Sequence, residues 1–286
     1  MLACTIHDMA RTPKARALGT ALRGAREQHE LTTRDLAERI GRNHGEISRW
    51  ETGDRTPKPE HVAQVLTALG IIGKPYDEIM SLAYDTTAST WVATTLPAQQ
   101  QQLAAFIEME QGAAALVDVV PSLIPGLLQT RDYAHAIMSS DDNLSSDEIV
   151  TRVSIRMGRR DAITRVNPVP YTAFIGAPVI HQIIGDRHVM VEQLRHLKEM
   201  ARRSNISIRL MPFDKGWHPG LEAPFALIRP QDSLPIVHLE LRRSSTFLHE
   251  EDVVRAYIQA LNKINRVALT PEASAQLITD RMENLS

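Results

Sequence analysis

Gly41 to Pro59 reads GRNHGEISRWETGDRTPKP, and within that stretch lie a helix stop, a helix start and a basic loop. Gly41 is a C-terminal stop, Asn43 an N-cap, and Glu46 stands three residues on, where a carboxylate reaches back to the cap. Ile47 and Trp50 supply the buried side of the helix that follows, and Gly53 ends it. Working backwards, Leu31-Thr32-Thr33-Arg34-Asp35 offers Thr32 as a cap with Asp35 completing a capping box, then Leu36, Ala37 and Ile40 on one face. From Ala15 to Arg26, Leu18, Ala21, Leu22 and Ala25 fall at the spacing of a core-facing helix stripe. Working forwards, a fourth helix starts near Pro59 with Val62, Val65, Leu66 and Leu69 inside, and a fifth runs from Pro75 to about Tyr84. Five short helices with a tight turn between the second and third predict a helix-turn-helix domain, because that turn holds the third helix outward across the second.

The chain around this module has 286 residues, 43% hydrophobic and 23% charged, enough for two domains with cores of their own. A net charge of −2 and a pI near 6.6 give no global pull towards nucleic acid, so a DNA-binding surface must be local. Between Arg11 and Lys58 eleven basic residues stand against seven acidic ones, a balance of +4. The single cysteine, Cys4, excludes an internal disulfide and any multi-thiolate metal site, and fits a reducing compartment. The N-terminal MLACTIHDMARTPKAR lacks an apolar signal-peptide core, and no window reaches the roughly 20 apolar residues of a membrane span. A cytoplasmic protein with no membrane contact is expected.

Residues 1–14 read as a disordered leader and 15–84 as the helix-turn-helix domain. The Thr-, Ala- and Gln-rich 85–102 reads as a linker, and 103–286 as an α+β domain. In that last domain Leu103, Phe106, Ile107, Ala114 and Val117 suggest a helix, and Ser146 to Thr164 another. YTAFIG, ISIRLMP, FALIRP and PIVHLEL are short apolar runs bounded by Pro and Gly, which read as buried strands of a small sheet of three or four. A helix from His188 to Arg203 separates the first two, and two helices, about Glu250 to Leu269 and Pro271 to Met282, close the chain.

LTTRDLAERIGRNHGEISRWETGDRTPKP resembles the lambda-repressor-like, xenobiotic-response-element type of regulator, whose hallmark residues here are Ile47, Ser48, Glu51 and Gly53. The resemblance covers Ala15 to Ala83. The strings LIPGLLQTRDYAHAI, RVSIRMGRRDAI, EQLRHLKEM, IRLMPFDKGWHPGLEAPFALI and LTPEASAQLI resemble, in order and spacing, the C-terminal domain of actinobacterial antitoxin-like helix-turn-helix regulators. Such proteins are commonly encoded beside a very small partner protein. The resemblance therefore implies an all-α lambda-repressor-like head, a homodimer, double-stranded DNA as ligand and a small cognate protein as partner. One departure is FIGAP, where Gly176 stands in place of an acidic residue usual in the family after the first strand.

In the family's fold the third helix enters the major groove and the second crosses the backbone. Position by position, this places His44, Gly45, Ser48 and Arg49 at the base edges. Arg49 is the favoured base contact, since a guanidinium donates two parallel bonds to guanine O6 and N7; a solvated arginine beside Glu46 or Glu51 is the alternative. For His44 the alternative is a plain exposed first-turn residue. Glu46 either accepts from a cytosine amine or closes the capping box with Asn43, and the cap is favoured because phosphates repel a carboxylate. Trp50 belongs to the core rather than to a stacking platform. Thr33 and Asn43 fit phosphate contacts, and similarity to the family assigns Arg55 and Lys58 to the DNA backbone.

For the second domain three readings compete: a dimerisation and partner-docking module, a small-molecule sensor that makes the protein a ligand-responsive repressor, and an enzyme. The last finds little support. The histidines include no His-Glu-x-x-His, and neither a Gly-rich phosphate loop nor a Gly-x-Ser-x-Gly elbow occurs, so no catalytic residue, metal or cofactor is expected. The loop Phe213 to Gly220 is the most suggestive cluster, with Asp214, Trp217 and His218 as candidate ligand or partner contacts; a Trp covering one end of the sheet is the alternative. Arg152, Arg156, Arg159 and Arg160 lie at helical spacing and read as a surface or partner-contact face. Leu123 to Thr130 reads as internal packing.

Overall fold

The computed structural model describes residues 12–84, 86, 90–93, 96–231, 233–241 and 244–285. The chain divides into two compact units, Met1–Glu108 with Glu240–Glu250, and Met109–Leu239 with Glu251–Ser286.

In the first unit, α1 (Pro13–Gln28) starts where Thr12 Oγ1 accepts from the Ala15 amide at 3.1 Å, with proline at the first position where no donor is needed. Of the leader read over 1–14, only 1–11, which include Cys4, lie outside the described residues; Pro13 and Lys14 already belong to α1. Next come α2 (Thr33–Arg39), opened by a Thr32–Asp35 capping box, and α3 (His44–Glu51), capped by Asn43. Gly41, between them, has φ +65°, a left-handed conformation that glycine adopts without cost, so the chain turns there at once. α4 (Pro59–Ala68) and α5 (Lys74–Ala83) follow. Leu18 and Leu22 of α1, Leu36 of α2, Ile47 and Trp50 of α3, Val62 and Leu66 of α4 and Leu82 of α5 are all buried and form one core. Trp50 stacks on His61, ring centroids 5.5 Å apart.

The segment read as a linker, 85–102, is not irregular throughout. It holds strand β1 (Thr90–Ala93) and the first turns of helix α6 (Leu96–Gln111). β1 pairs antiparallel with a strand at Ser244–Leu248, Trp91 opposite Phe247, and Gln102 Nε2 donates to the Trp91 carbonyl at 2.6 Å. The glutamine run thus satisfies backbone groups inside the fold. It showed no helical stripe because its buried side is partly polar: Gln102 is 1% exposed.

In the second unit β2 (Ala113–Val120) corrects the helix read over Leu103 to Val117. That helix, α6, ends at Gln111, and the apolar run beyond Gly112 is a buried strand, a distinction short apolar runs do not make by spacing alone. After β2 come helices α7 (Arg131–Met138), α8 (Ser146–Arg159) and α9 (Asp161–Thr164), then β3 (Tyr171–Gly176), α10 (Arg187–Met200), β4 (Ile206–Met211), β5 (Phe225–Pro230) and β6 (Ile236–Leu241). The strand at Ser244–Leu248 is β7, and α11 (Glu251–Val267) and α12 (Pro271–Leu285) end the chain. β2, β3 and β4 run parallel, joined by helical crossovers, while β5 and β6 add antiparallel, giving the order β6-β5-β2-β3-β4. The sheet is therefore larger than the three or four strands expected, because β2 was read as helix. Gly176 closes β3 against the Pro121 carbonyl: a Cβ there would stand 2.1 Å from that oxygen, so no side chain fits at this position without a shift of the backbone.

Candidate nucleic-acid interface

The short connection Ile40 to Asn43 sets α3 across α2, and its sequence divides its faces. Ile47 is 2% and Trp50 1% exposed, so both point inward, while His44, Ser48 and Arg49 lie on the solvent side and Gly45 is half-buried. Arg49 Nε donates to the Gly45 carbonyl at 3.1 Å, one turn back along α3. Asn43 Oδ1 accepts from the Gly45 amide at 2.8 Å, which fixes the first turn. Thr33, the first residue of α2, is half-buried.

After α3 the loop to Pro59 carries Arg55, whose amide donates to the Arg49 carbonyl at 3.0 Å, and Lys58, which lies 3.8 Å from Glu60 with a largely exposed side chain. The four base-reading and four backbone candidates thus sit together on α2, α3 and the following loop.

Glu46 does not play the capping role favoured from the sequence. No capping box forms at Asn43; the carboxylate instead lies 3.3 Å from Arg42 and 3.5 Å from Arg55. Arg42 was missed as a member of this surface, although its place just before the cap was legible; it also lies over the Trp50 ring, 5.4 Å from the centroid. Glu51, one of the hallmark residues, is 4% exposed and receives two bonds from Arg26, Nε at 2.6 Å and Nη2 at 2.8 Å, so it joins α3 to α1 rather than facing solvent.

In the second unit the three loop candidates do not converge. Asp214 and Trp217 are exposed, whereas His218 is 3% exposed, and neither of its ring nitrogens has a partner. Burial pushes the His218 imidazole below its ordinary pKa. The arginine run does not form a solvated face. Arg159 makes a bidentate pair with buried Glu110, both bonds 2.8 Å, Arg156 donates to Gln129 Oε1 at 3.0 Å, and Arg160 donates to the Gln129 carbonyl; only Arg152 of the four is fully exposed. Gln193 in turn accepts from the Thr130 amide at 2.7 Å and donates to the Leu128 carbonyl at 2.8 Å. The proline-broken loop is thus internal packing, with Ile124, Leu127 and Leu128 at most 1% exposed. Tyr171 donates to Asp118 at 2.6 Å, and burial followed by that carboxylate pushes its hydroxyl well above the ordinary tyrosine range. Helical spacing located these arginines but could not name partners drawn from Glu110 and Gln129, dozens of residues away.

The caps, the buried face and the outward face of α3 define a helix-turn-helix DNA-binding regulator. Residues 17–74 match the family model of a helix-turn-helix domain, and residues 103–280 match that of a domain of unknown function, DUF5753. The second match spans more than half of the chain, which therefore belongs to the DUF5753 family. No curated protein and no solved structure matches it. Among the described residues no helix is long and apolar enough to cross a membrane, and no group of three or more His, Cys, Asp or Glu stands where a metal ion would be held.

Proposed function

We propose that this protein is a dimeric, autoregulating transcriptional regulator of the xenobiotic-response-element type, antitoxin-like, whose second unit docks a small cognate protein. It acts in the cytoplasm, without a cofactor and without enzymatic activity. The observation that carries the reading is the division of α3, with Ile47 and Trp50 sealed in the core and His44, Ser48 and Arg49 turned out beside half-buried Gly45. Arg49 reads guanine; His44, Gly45 and Ser48 line the same groove; Thr33, Asn43, Arg55 and Lys58 hold phosphates and set register.

The test is a fluorescence-anisotropy titration of the full chain against the DNA upstream of its own gene and a scrambled duplex, with and without the small protein encoded alongside. A preference of about a thousandfold or more, shifted by the small protein, supports the reading. Arg49→Ala then costs about 1–3 kcal/mol on the preferred DNA and relaxes base preference, while Lys58→Ala weakens all sequences alike. Equal losses on both duplexes for Arg49→Ala remove it as a base reader.

The buried, unpartnered imidazole of His218 favours a second reading, in which the second unit senses a small molecule. Under it, a ligand rather than the small protein shifts DNA affinity, and His218→Phe abolishes the response.

A further inference from the structure

Glu46 stands at the third position of α3, where a carboxylate facing phosphates would oppose binding, yet two arginines converge on it. Arg42 Nη1, from the turn before α3, lies 3.3 Å from Oε2, and Arg55 Nη1, from the loop after α3, lies 3.5 Å from Oε1. Each carboxylate oxygen thus takes one guanidinium. The Glu46 and Arg42 side chains are 18% and 23% exposed, Arg55 58%, so the cluster opens to solvent on the Arg55 side. Arg42 is held from behind as well, over the Trp50 ring and with Nε 3.5 Å from Gln64 Oε1.

A carboxylate between two guanidiniums offers the charge and two of the oxygens that a phosphodiester would offer there. Ion pairs with one exposed partner add little to folding stability, so stability alone gives weak reason for an acid at this position. Its effect on DNA binding is direct, because it occupies the donors of two cations beside α3 and repels the backbone.

We propose that Glu46 is an internal substitute for a backbone phosphate and a specificity-determining residue. In the free protein and on non-preferred DNA it holds Arg42 and Arg55 and so suppresses sequence-independent binding; on the preferred DNA a phosphate takes over the Arg42–Arg55 pair. The preference for one sequence over another then comes from base contacts made by α3. The inference rests on the reading of α3 as a DNA reader, and it adds Arg42 to the backbone-contacting residues.

The test uses the full chain, a random-sequence duplex and anisotropy at several salt concentrations between about 50 and 200 mM. Glu46→Gln is expected to tighten binding of that duplex about three- to tenfold and to steepen the slope of log K against log salt by about 0.9 for each arginine released. Glu46→Ala gives the same change should glutamine fail to fold. Adding Arg42→Gln and Arg55→Gln to Glu46→Gln cancels the gain. Glu30→Gln removes an equal charge from the same unit and is expected to leave the slope unchanged. An equal gain from Glu30→Gln reduces the effect to net charge and overturns the proposal, as does an unchanged slope in Glu46→Gln while the unsubstituted chain binds. A chain that binds no duplex at low salt instead overturns the DNA-reading assignment itself.

Discussion

Glu51 carries a hallmark position of the helix-turn-helix pattern, and its side chain does chemistry that the pattern does not disclose. The carboxylate is 4% exposed and takes both bonds of the Arg26 fork, while Arg26 Nη1 also donates to the Leu31 carbonyl at 2.6 Å. Glu51→Ala removes the two-bond partner of buried Arg26 and leaves it Glu27 at 3.4 Å and the Leu31 carbonyl, so the loss is expected to be about 3 kcal/mol, the low end for a broken buried pair. Denaturant unfolding of the full chain followed by circular dichroism measures this, and a loss below about 1 kcal/mol would show the pair to be dispensable. Pairing Glu51→Ala with Arg26→Met should return much of the loss, since burial without charge removes the desolvation cost. The sequence marked Glu51 but could not supply Arg26, twenty-five residues earlier on another helix. His196 in α10 is a second case invisible to spacing. Its Nε2 is buried without a partner, and burial, aided by the Arg160 charge, lowers its pKa from about 6.5 to about 4. The native state therefore keeps this ring neutral where the unfolded chain protonates it. Stability is expected to be unaffected by His196 above pH 6.5 and to fall progressively between pH 6.5 and 4. His196→Gln should flatten that part of a melting-temperature profile, and an unchanged profile would sink the assignment.

Packing of α1 on α3 depends on one missing side chain. A Cβ at Gly19 would stand 2.5 Å from the Trp50 carbonyl oxygen and 2.7 Å from that of Glu51, so the two helix backbones meet there directly. Gly24, five residues on in the same helix, has nothing within 4 Å of a Cβ. The two positions should respond with opposite sign. Gly24→Ala is expected to stabilise the chain by about 0.5–1 kcal/mol through helix propensity, whereas Gly19→Ala should destabilise it by about 1–3 kcal/mol as α3 is pushed away. DNA affinity should fall with Gly19→Ala alone, because α3 carries the reading residues; parallel thermal melts and titrations decide it. Helices α2 to α4 were legible because caps or stops agree with the apolar spacing, Thr32 with Asp35, Gly41, Asn43 and Pro59, whereas α1 was read from its apolar spacing alone, its Thr12 cap lying in the stretch read as a leader. α6 and β2 were not. α6 buries Gln102 beside Ala105 and Phe106, so its inner face has no clean apolar stripe, and β2 is apolar at every position but Asp118, so it has no alternation to betray a strand. The candidate DNA face came from matching positions to the resembled helix-turn-helix fold, but the contacts of Glu46 and Arg42 arise from a meeting in space that neither cap nor period encodes.

Charge sets a limit on how the whole chain can hold DNA. The region from Arg11 to Lys58 carries +4 within a chain of net −2, so the remainder carries −6 and repels the backbone. Of the cations in the head, Arg26 is committed to Glu51, and Arg42 and Arg55 share Glu46 until a phosphate displaces it, which lowers the charge that each head presents to DNA. A single head offering few phosphate contacts gains little from counterion release and binds weakly. Under the proposed dimeric reading two heads act together, and a twofold dimer would place them on one face of the duplex about 34–36 Å apart, one helical turn. The expected outcome is two chains per operator by sedimentation of the complex, with protected half-sites whose centres lie about 10 base pairs apart. Inserting about half a turn of DNA between the half-sites puts the second on the opposite face and should reduce affinity to that of one half-site, and a full-turn insertion should recover part of it. One chain per operator, with affinity indifferent to the half-turn insertion, would show that a single head suffices and that the dimer has no part in recognition.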